Sequence, residues 1–202
     1  RDFQGTMAAL EGYELECDYI VASGAEVRDS EGRLLKCTPM ETKLFPEIME
    51  IIERKYSGSC YVRFCGNGKY FFIGDEKTVH RQIAAEGRLF LGDDETDDDT
   101  LVEMWNKIVT SDVTVAGSLD ELMKYDDPIY KIFISSGDSR AISDLKADLE
   151  HITTIAIASS FPDNLELTDI RAQKGPVLAE YIKSLGYTMD EVMVFGDSLN
   201  DY

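Results

Sequence analysis

Three polar side chains near the end of the 202-residue chain fall on one short loop: Asp197, Asn200 and Asp201, within Gly196-Asp197-Ser198-Leu199-Asn200-Asp201. Two carboxylates on a tight loop suit Mg2+, which takes one or two carboxylates, several waters and the oxygens of a substrate phosphate. An amide such as Asn200 donates to a phosphate oxygen without adding charge repulsion. Upstream, Lys174 stands at the head of a helix expected from Gly175 to Leu185. A cation there opposes the helix macrodipole by roughly 0.3–1 kcal/mol, so an anion beside it would offset the cost. Either Asp197 or a bound phosphate fits that part. Taken singly, these residues are ordinary, since Gly-Asp-Ser and Asn-Asp are common turn residues. Their spacing is what gives them a chemical meaning.

A helix of that length runs about 17 Å. The hydrophobic run Val192 to Phe195, read as a strand with its lead-in, returns a similar distance at about 3.3 Å per residue. Lys174 and Asp197 are therefore expected at one edge of a sheet. Open α/β sheets bind their ligands at the carboxyl ends of their strands.

The rest of the chain supplies the elements that hold this edge. Phe3 to Leu10 reads as a helix and Tyr19 to Ala22 as a short strand. Glu26 to Cys37 reads as a hairpin turning at Asp29-Ser30-Glu31-Gly32. After Thr38-Pro39, Leu44, Phe45, Ile48, Ile51 and Ile52 recur at helical spacing. Strands at Cys60–Phe64 and Tyr70–Ile73 flank Gly66-Asn67-Gly68, a strong hairpin signal. Helices are expected at 76–89, 101–109 and 139–149, and strands at 129–134 and 152–158. Phe161-Pro162 marks a second break, followed by a short strand at 165–168. The layout predicted is a core fragment (1–38), an inserted α/β unit (39–160) and a returning core fragment (161–202). The two breaks would serve as hinges.

Composition narrows the partners. Acidic residues outnumber basic ones 39 to 20, and a net charge of -19 repels phosphate backbones and anionic lipid. Nucleic acid and membrane partners are not expected, and no apolar run reaches the roughly 18–20 residues of a membrane span. The spacing of Cys17, Cys37, Cys60 and Cys65 matches no zinc pattern. Reduced thiols and a cytoplasmic location are expected. The acidic run Asp93 to Asp99 lacks the order of a calcium loop and reads as a solvated segment favouring the N-terminus of the next helix. Trp105 reads as core. The start at Arg1-Asp2-Phe3 and the stop just after a strand suggest an interior segment of a longer protein.

The end loop, lying 22 residues after Lys174-Gly175, resembles the fourth and third motifs of the haloacid dehalogenase superfamily. The whole layout resembles that superfamily's Cof-type phosphatases. Tyr19 to Val27 is similar to the family's strand and Asn-Gly-Ala turn, with Ser23 in place of the Asn and Gly24 retained. The resemblance implies an α/β fold, a partial Rossmann-like core carrying an inserted α+β cap. It also implies a Mg2+-dependent phosphatase of small phosphorylated metabolites, such as sugar phosphates, working through an aspartyl-phosphate. In that scheme Lys174 neutralises nucleophile and phosphate, Asp197 holds Mg2+, Asp201 supports the metal from behind, and Asn200 touches the phosphate. Ser23 and Gly24 form a turn on the substrate side. The family's first motif, Asp-x-Asp-Gly-Thr, is absent from these residues, so the nucleophile is expected upstream and the segment alone is expected to be inactive. Two alternatives stand beside this reading: a non-catalytic relative that binds a phosphorylated ligand or protein partner, and a piece of a P-type ATPase, which carries a similar Gly-Asp-x-x-Asn-Asp loop.

Overall fold

The computed structural model describes residues 1–92, 95–108 and 112–196. Two sheets organise them. The smaller is antiparallel, β1 (Tyr19–Val21), β2 (Glu26–Arg28) and β3 (Leu34–Cys37), in that order. Helix α1 (Phe3–Ala9) starts at Asp2, whose Oδ1 accepts the Gly5 N–H at 2.7 Å. Its Phe3 ring meets Tyr19 edge-on at 5.4 Å and carries the Arg28 guanidinium at 4.7 Å.

The larger sheet follows in the chain. Its strands are β4 (Tyr61–Cys65), β5 (Lys69–Ile73), β6 (Asp112–Ala116), β7 (Lys131–Ser135), β8 (Ile155–Ala158) and β9 (Asn164–Asp169). Their order is β6-β5-β4-β7-β9-β8, antiparallel except for the parallel β5–β6 pair. Strand alternation sorts the side chains between two faces. Val62, Phe64, Ile132, Ile134, Leu165 and Leu167 enter one buried cluster with α2 (Phe45–Tyr56) and α6 (Ser139–Leu149). The opposite face carries Arg63, Phe72 and Phe133, covered in part by α3 (Glu76–Leu91) and α4 (Asp98–Ile108). There the Arg63 guanidinium donates to Glu86 at 2.5 Å and lies against the rings of Tyr70, Trp105 and Phe133.

Local chemistry explains the helix ends. Asp75 caps α3 by accepting the Thr78 N–H at 2.6 Å, and Gly92 ends it in the left-handed region at φ 65°. Asp97, from the acidic run, accepts the Thr100 N–H at 3.0 Å ahead of α4. Asp93 and Asp94 lie outside the described residues. Trp105 is buried at 3% exposure, as expected.

Three differences from the expected layout matter. Strand β6 and the short helix α5 (Leu119–Leu122) follow an apolar pattern too brief to announce itself. The break at Phe161-Pro162 is the turn between β8 and β9, because Asn164–Asp169 pairs with both β7 and β8. The larger sheet thus takes in the chain to Asp169, and the crossing back to the smaller sheet falls at 170–173 rather than at 161–163. Finally, Val192–Phe195 forms no strand. It pairs with neither sheet, and Met193 and Phe195 are 79% and 87% exposed.

The two sheets meet at a small buried junction. The Thr38 N–H donates to the Ala25 carbonyl and the Met40 N–H to the Ile129 carbonyl, both at 2.8 Å. Next to them Tyr130 packs with Ala22, Ala25 and Ala172. Its hydroxyl donates to the fully buried Glu26 carboxylate at 2.5 Å, which also accepts from Arg28.

Candidate active site

The last helix, α7 (Lys174–Ser184), returns the chain to the smaller sheet. It is tied there by Tyr181 donating to Asp18 at 2.7 Å and by Lys36 donating to Glu180 at 2.5 Å. The Asp18 hydrogen bond and burial push the Tyr181 hydroxyl up to about 12, so it stays a donor at ordinary pH. The first turn of α7 has neither a side-chain cap nor an acidic residue. The positive end of its dipole lies at Lys174, which adds a full charge there, and such a helix start favours an anion.

Lys174 opens onto a cleft of about 490 Å³ between the two sheets. One wall is the turn after β1. Here Ala22 and Ser23 both have positive φ, 51° and 60°, followed by Gly24 at 101°. Each non-glycine residue in that region costs roughly 1–2 kcal/mol. The surroundings hold the conformation in place. The Ala22 N–H donates to the Arg1 carbonyl at 2.8 Å, and the Ser23 hydroxyl donates to Glu166 Oε2 at 3.2 Å. Gly24 is required by space as well as by φ. A Cβ there would sit 2.8 Å from the Gln173 carbonyl carbon and 3.0 Å from the Lys174 nitrogen. The turn is therefore pressed against the peptide that starts α7, and it fixes where Lys174 begins.

The opposite wall comes from the larger sheet. Glu166 on β9 and Lys131 on β7 are diagonal neighbours on the face away from the leucines, since Glu166 pairs with Phe133 and Lys131 with Thr168. Lys131 donates to Glu166 Oε2 at 2.8 Å and the Ser160 hydroxyl to Oε1 at 2.6 Å. Burial alone would raise the Glu166 carboxyl. The Lys131 charge and the hydrogen bonds from Lys131, Ser160 and Ser23 outweigh it and hold the group at about 2. Glu166 is thus a permanent carboxylate whose donors come from both sheets.

The structure brings three sequence-expected site residues together: Lys174, Ser23 and Gly24. Asp197, Asn200 and Asp201 lie outside the described residues. Among the described residues, no cluster of His, Cys, Asp or Glu could hold a metal ion. Glu166, Lys131 and Ser160 were not foreseen. The signal was present in Leu165-Glu166-Leu167-Thr168, where alternation puts a lone carboxylate on the face opposite two core leucines.

Comparison with known proteins agrees with this architecture. The family model of haloacid dehalogenase-like hydrolases matches residues 1–202. The chain belongs to that family, in its Cof-type branch. It is α/β, a partial Rossmann-like core with an inserted α+β cap. Among curated proteins it is similar to the 5-amino-6-(5-phospho-D-ribitylamino)uracil phosphatase YcsE of Bacillus subtilis, 43% identical over 47 residues. That match spans 23% of this chain and 19% of the relative. Among solved structures, a haloacid dehalogenase-like hydrolase from B. subtilis superposes with a TM-score of 0.76 at 24% identity, over 100% of this chain and 70% of the other. A sugar phosphatase of subclass IIB superposes at 0.64 and 15% identity, over 96% of this chain and 63% of the other.

Two expected outcomes follow from the cleft. Gly24→Ala imposes at least about 1–2 kcal/mol of conformational cost, and its methyl collides with backbone that cannot step aside. Urea unfolding should show a loss of that size or more; unchanged stability would mean that the turn does not press on α7. The second outcome concerns Glu166, whose folded pKa lies below its unfolded one. Its stabilisation is present above about pH 4.3 and is lost as pH falls toward 2. The stability gap between the parent and Glu166→Gln should be full at pH 7 and shrink below pH 4. A gap that stays constant from pH 7 to pH 3 would contradict the charged network.

Proposed function

We propose that the protein containing this chain is a phosphatase that hydrolyses small phosphorylated metabolites at the cleft headed by Lys174. The observation that carries the reading is the convergence of Lys174, the uncapped start of α7 and the Ser23-Gly24 turn on one cleft of a haloacid dehalogenase-like hydrolase. The phosphatase name of the B. subtilis relative and the sugar phosphatase among the similar structures support it. In this reading a phosphoryl group sits at the head of α7. Lys174 then neutralises charge on the attacked phosphate and on the carboxylate nucleophile, which is proposed to lie outside these 202 residues. Phosphoryl transfer asks mainly for positioning and charge stabilisation, which a helix start and a fixed lysine supply.

Mg2+ is proposed as the cofactor. Asp197 would hold it, Asp201 would support it from behind and Asn200 would meet the phosphate, a donor set suited to a hard cation. When bound, the ion would neutralise phosphate charge. The bounds of core and cap, with the chain crossing at 38–40 and 170–173, are likewise part of the proposal. Closure of the cap over the core would exclude water from the cleft. The match of the haloacid dehalogenase-like hydrolase family model to residues 1–202 favours this reading over a P-type ATPase.

The test is kinetic, in the full-length protein with an aryl phosphate and Mg2+. Lys174→Ala should cost about 10²–10³ in rate, the scale of losing one preorganised electrostatic group. Lys174→Arg should not restore it, since a planar fork does not replace a compact charge. Lys183, exposed on the last turn of the same helix, is the control, and its replacement by Ala should be nearly silent. Equal losses from both variants would assign the effect to helix stability and remove Lys174 from the site.

A further inference from the structure

The larger sheet ends on one side at β8, which pairs with β9 and with no other strand among the described residues. An open edge presents a row of backbone N–H and C=O groups that can template pairing with another chain. The register fixes which residues face outward. The Ile170 N–H donates to the Thr154 carbonyl at 2.9 Å, so Thr154, Ala156 and Ala158 turn their backbone groups toward β9. By the same alternation Ile155, Ile157 and Ser159 turn theirs toward the open side. The Ile155 N–H is taken by the Ile152 carbonyl at 3.3 Å. The Ile155 carbonyl, both groups of Ile157 and the Ser159 N–H point outward.

Edges of natural sheets are protected by charge, by proline, by a bulge or by a covering element. The first three are missing from β8. Thr153 to Ser160 contain no charged residue and no proline, in a chain where 29% of residues are charged. The pairing with β9 runs from Ile155 to Ala158 without a bulge. The opposite edge differs, since β6 opens on the exposed Asp112. The side chains of β8 also suit a neighbouring strand. Ile155 and Ile157 extend the apolar face of Leu167, and Ile157 is only half-buried there. Ala156 and Ala158 lie on the face of Glu166 and take little room.

We propose that β8 pairs antiparallel with β8 of a second copy of this chain, across a two-fold axis at Ile157, and joins the two larger sheets into one. The N–H and carbonyl of Ile157 meet those of the other Ile157, and each Ile155 carbonyl accepts from the opposite Ser159 N–H. This register also sets the two half-buried isoleucines against each other, and such cross-strand pairs stabilise a sheet. Ala156 then faces Ala158 of the second copy without crowding. The occupant follows from what the edge lacks. A different partner would be selected by charges or pockets along the strand, whereas β8 offers a backbone row and small apolar side chains that match themselves. A two-fold contact closes and leaves no further edge to propagate. So short an edge buries less than the roughly 1,200 Å² of a stable complex, so the dimer is weak, with a Kd on the order of 50 µM. The contact borders the cleft, because Thr154 of the second copy comes opposite Ser160, whose hydroxyl bonds Glu166. The inference does not depend on the phosphatase reading.

The experiment uses the full-length protein, followed by sedimentation equilibrium and amide hydrogen exchange. Concentration runs from about 1 to about 500 µM, the range over which mass action at that Kd turns monomer into dimer. The parent should dimerise. Its Ile157 and Ser159 amides should exchange about fivefold more slowly at the upper concentration, while Ala156 and Ala158 stay protected throughout by β9. Ile157→Lys sets like charges opposite each other and should leave a monomer. Ser159→Pro removes an outward N–H beyond the end of the strand, spares the pairing with β9 and should weaken the dimer severalfold. Circular dichroism shows which variants are folded, and the exchange readout on the parent needs neither. A parent that stays monomeric at the upper concentration overturns the inference and leaves the edge to solvent or to another chain. So does a dimer whose Ile157 and Ser159 amides exchange as fast as in the monomer, or one that the folded variants form as readily as the parent.

Discussion

The Glu166 carboxylate is the interaction through which the two sheets share one cleft. Its donors arrive from opposite sides: Ser23 from the smaller sheet, Lys131 and Ser160 from the larger. A carboxylate this buried is costly unless it is paired and hydrogen-bonded, and three donors meet that demand. The same bonds hold Ser23 in a left-handed conformation that serine does not favour. That conformation carries Gly24 into contact with the peptide before Lys174. A charge on the larger sheet is thus connected, through the Ser23-Gly24 turn, to the start of the helix that presents the proposed phosphate-binding lysine.

The larger sheet divides its labour by face. Leu165 and Leu167, with Ile132 and Ile134, bury one side under α2 and α6 and make the sheet a stable plate. The other side is left to polar residues along β7 and β9. Under α3 and α4 that same side is closed around Arg63, Phe72 and Trp105, and the cleft is lined instead from β7 and β9. Strand alternation, the simplest rule of sheet geometry, is what separates stability from recognition in this unit. The junction at Tyr130 and Glu26 then sets where the plate sits over the smaller sheet.

Much of this was legible in the sequence. Helices with a clear 3.6-residue repeat, such as 139–149, were expected with the bounds they have, and the Gly66-Asn67-Gly68 hairpin joins β4 and β5 as expected. Lys174 at a helix start and the Ser23-Gly24 turn are readable from the sequence, and Lys174 and Ser23 line one cleft. What was not legible is long-range. Glu166 and Lys131 lie 35 positions apart, and only the β7–β9 register makes them neighbours. The turn at Phe161-Pro162 read as a domain break because Pro interrupts a strand whether or not the next strand pairs in the same sheet. Val192 to Phe195 read as a buried strand from hydrophobicity alone. Burial also needs a neighbouring strand, and neither sheet of the described residues offers one there. Hydrophobic pattern states what a segment is suited to, and pairing decides what it does.

The account turns on the claim that the Ser23-Gly24 turn and Glu166 hold Lys174 where a phosphoryl group binds. A crystal structure of the full-length protein with Mg2+ and orthovanadate tests this most directly. The account predicts vanadate at the head of α7, within hydrogen-bond reach of the Lys174 Nζ, with the Ser23–Glu166 hydrogen bond and the left-handed turn retained. Vanadate bound elsewhere, or bound at α7 with Lys174 turned away and the Ser23–Glu166 contact broken, would contradict it.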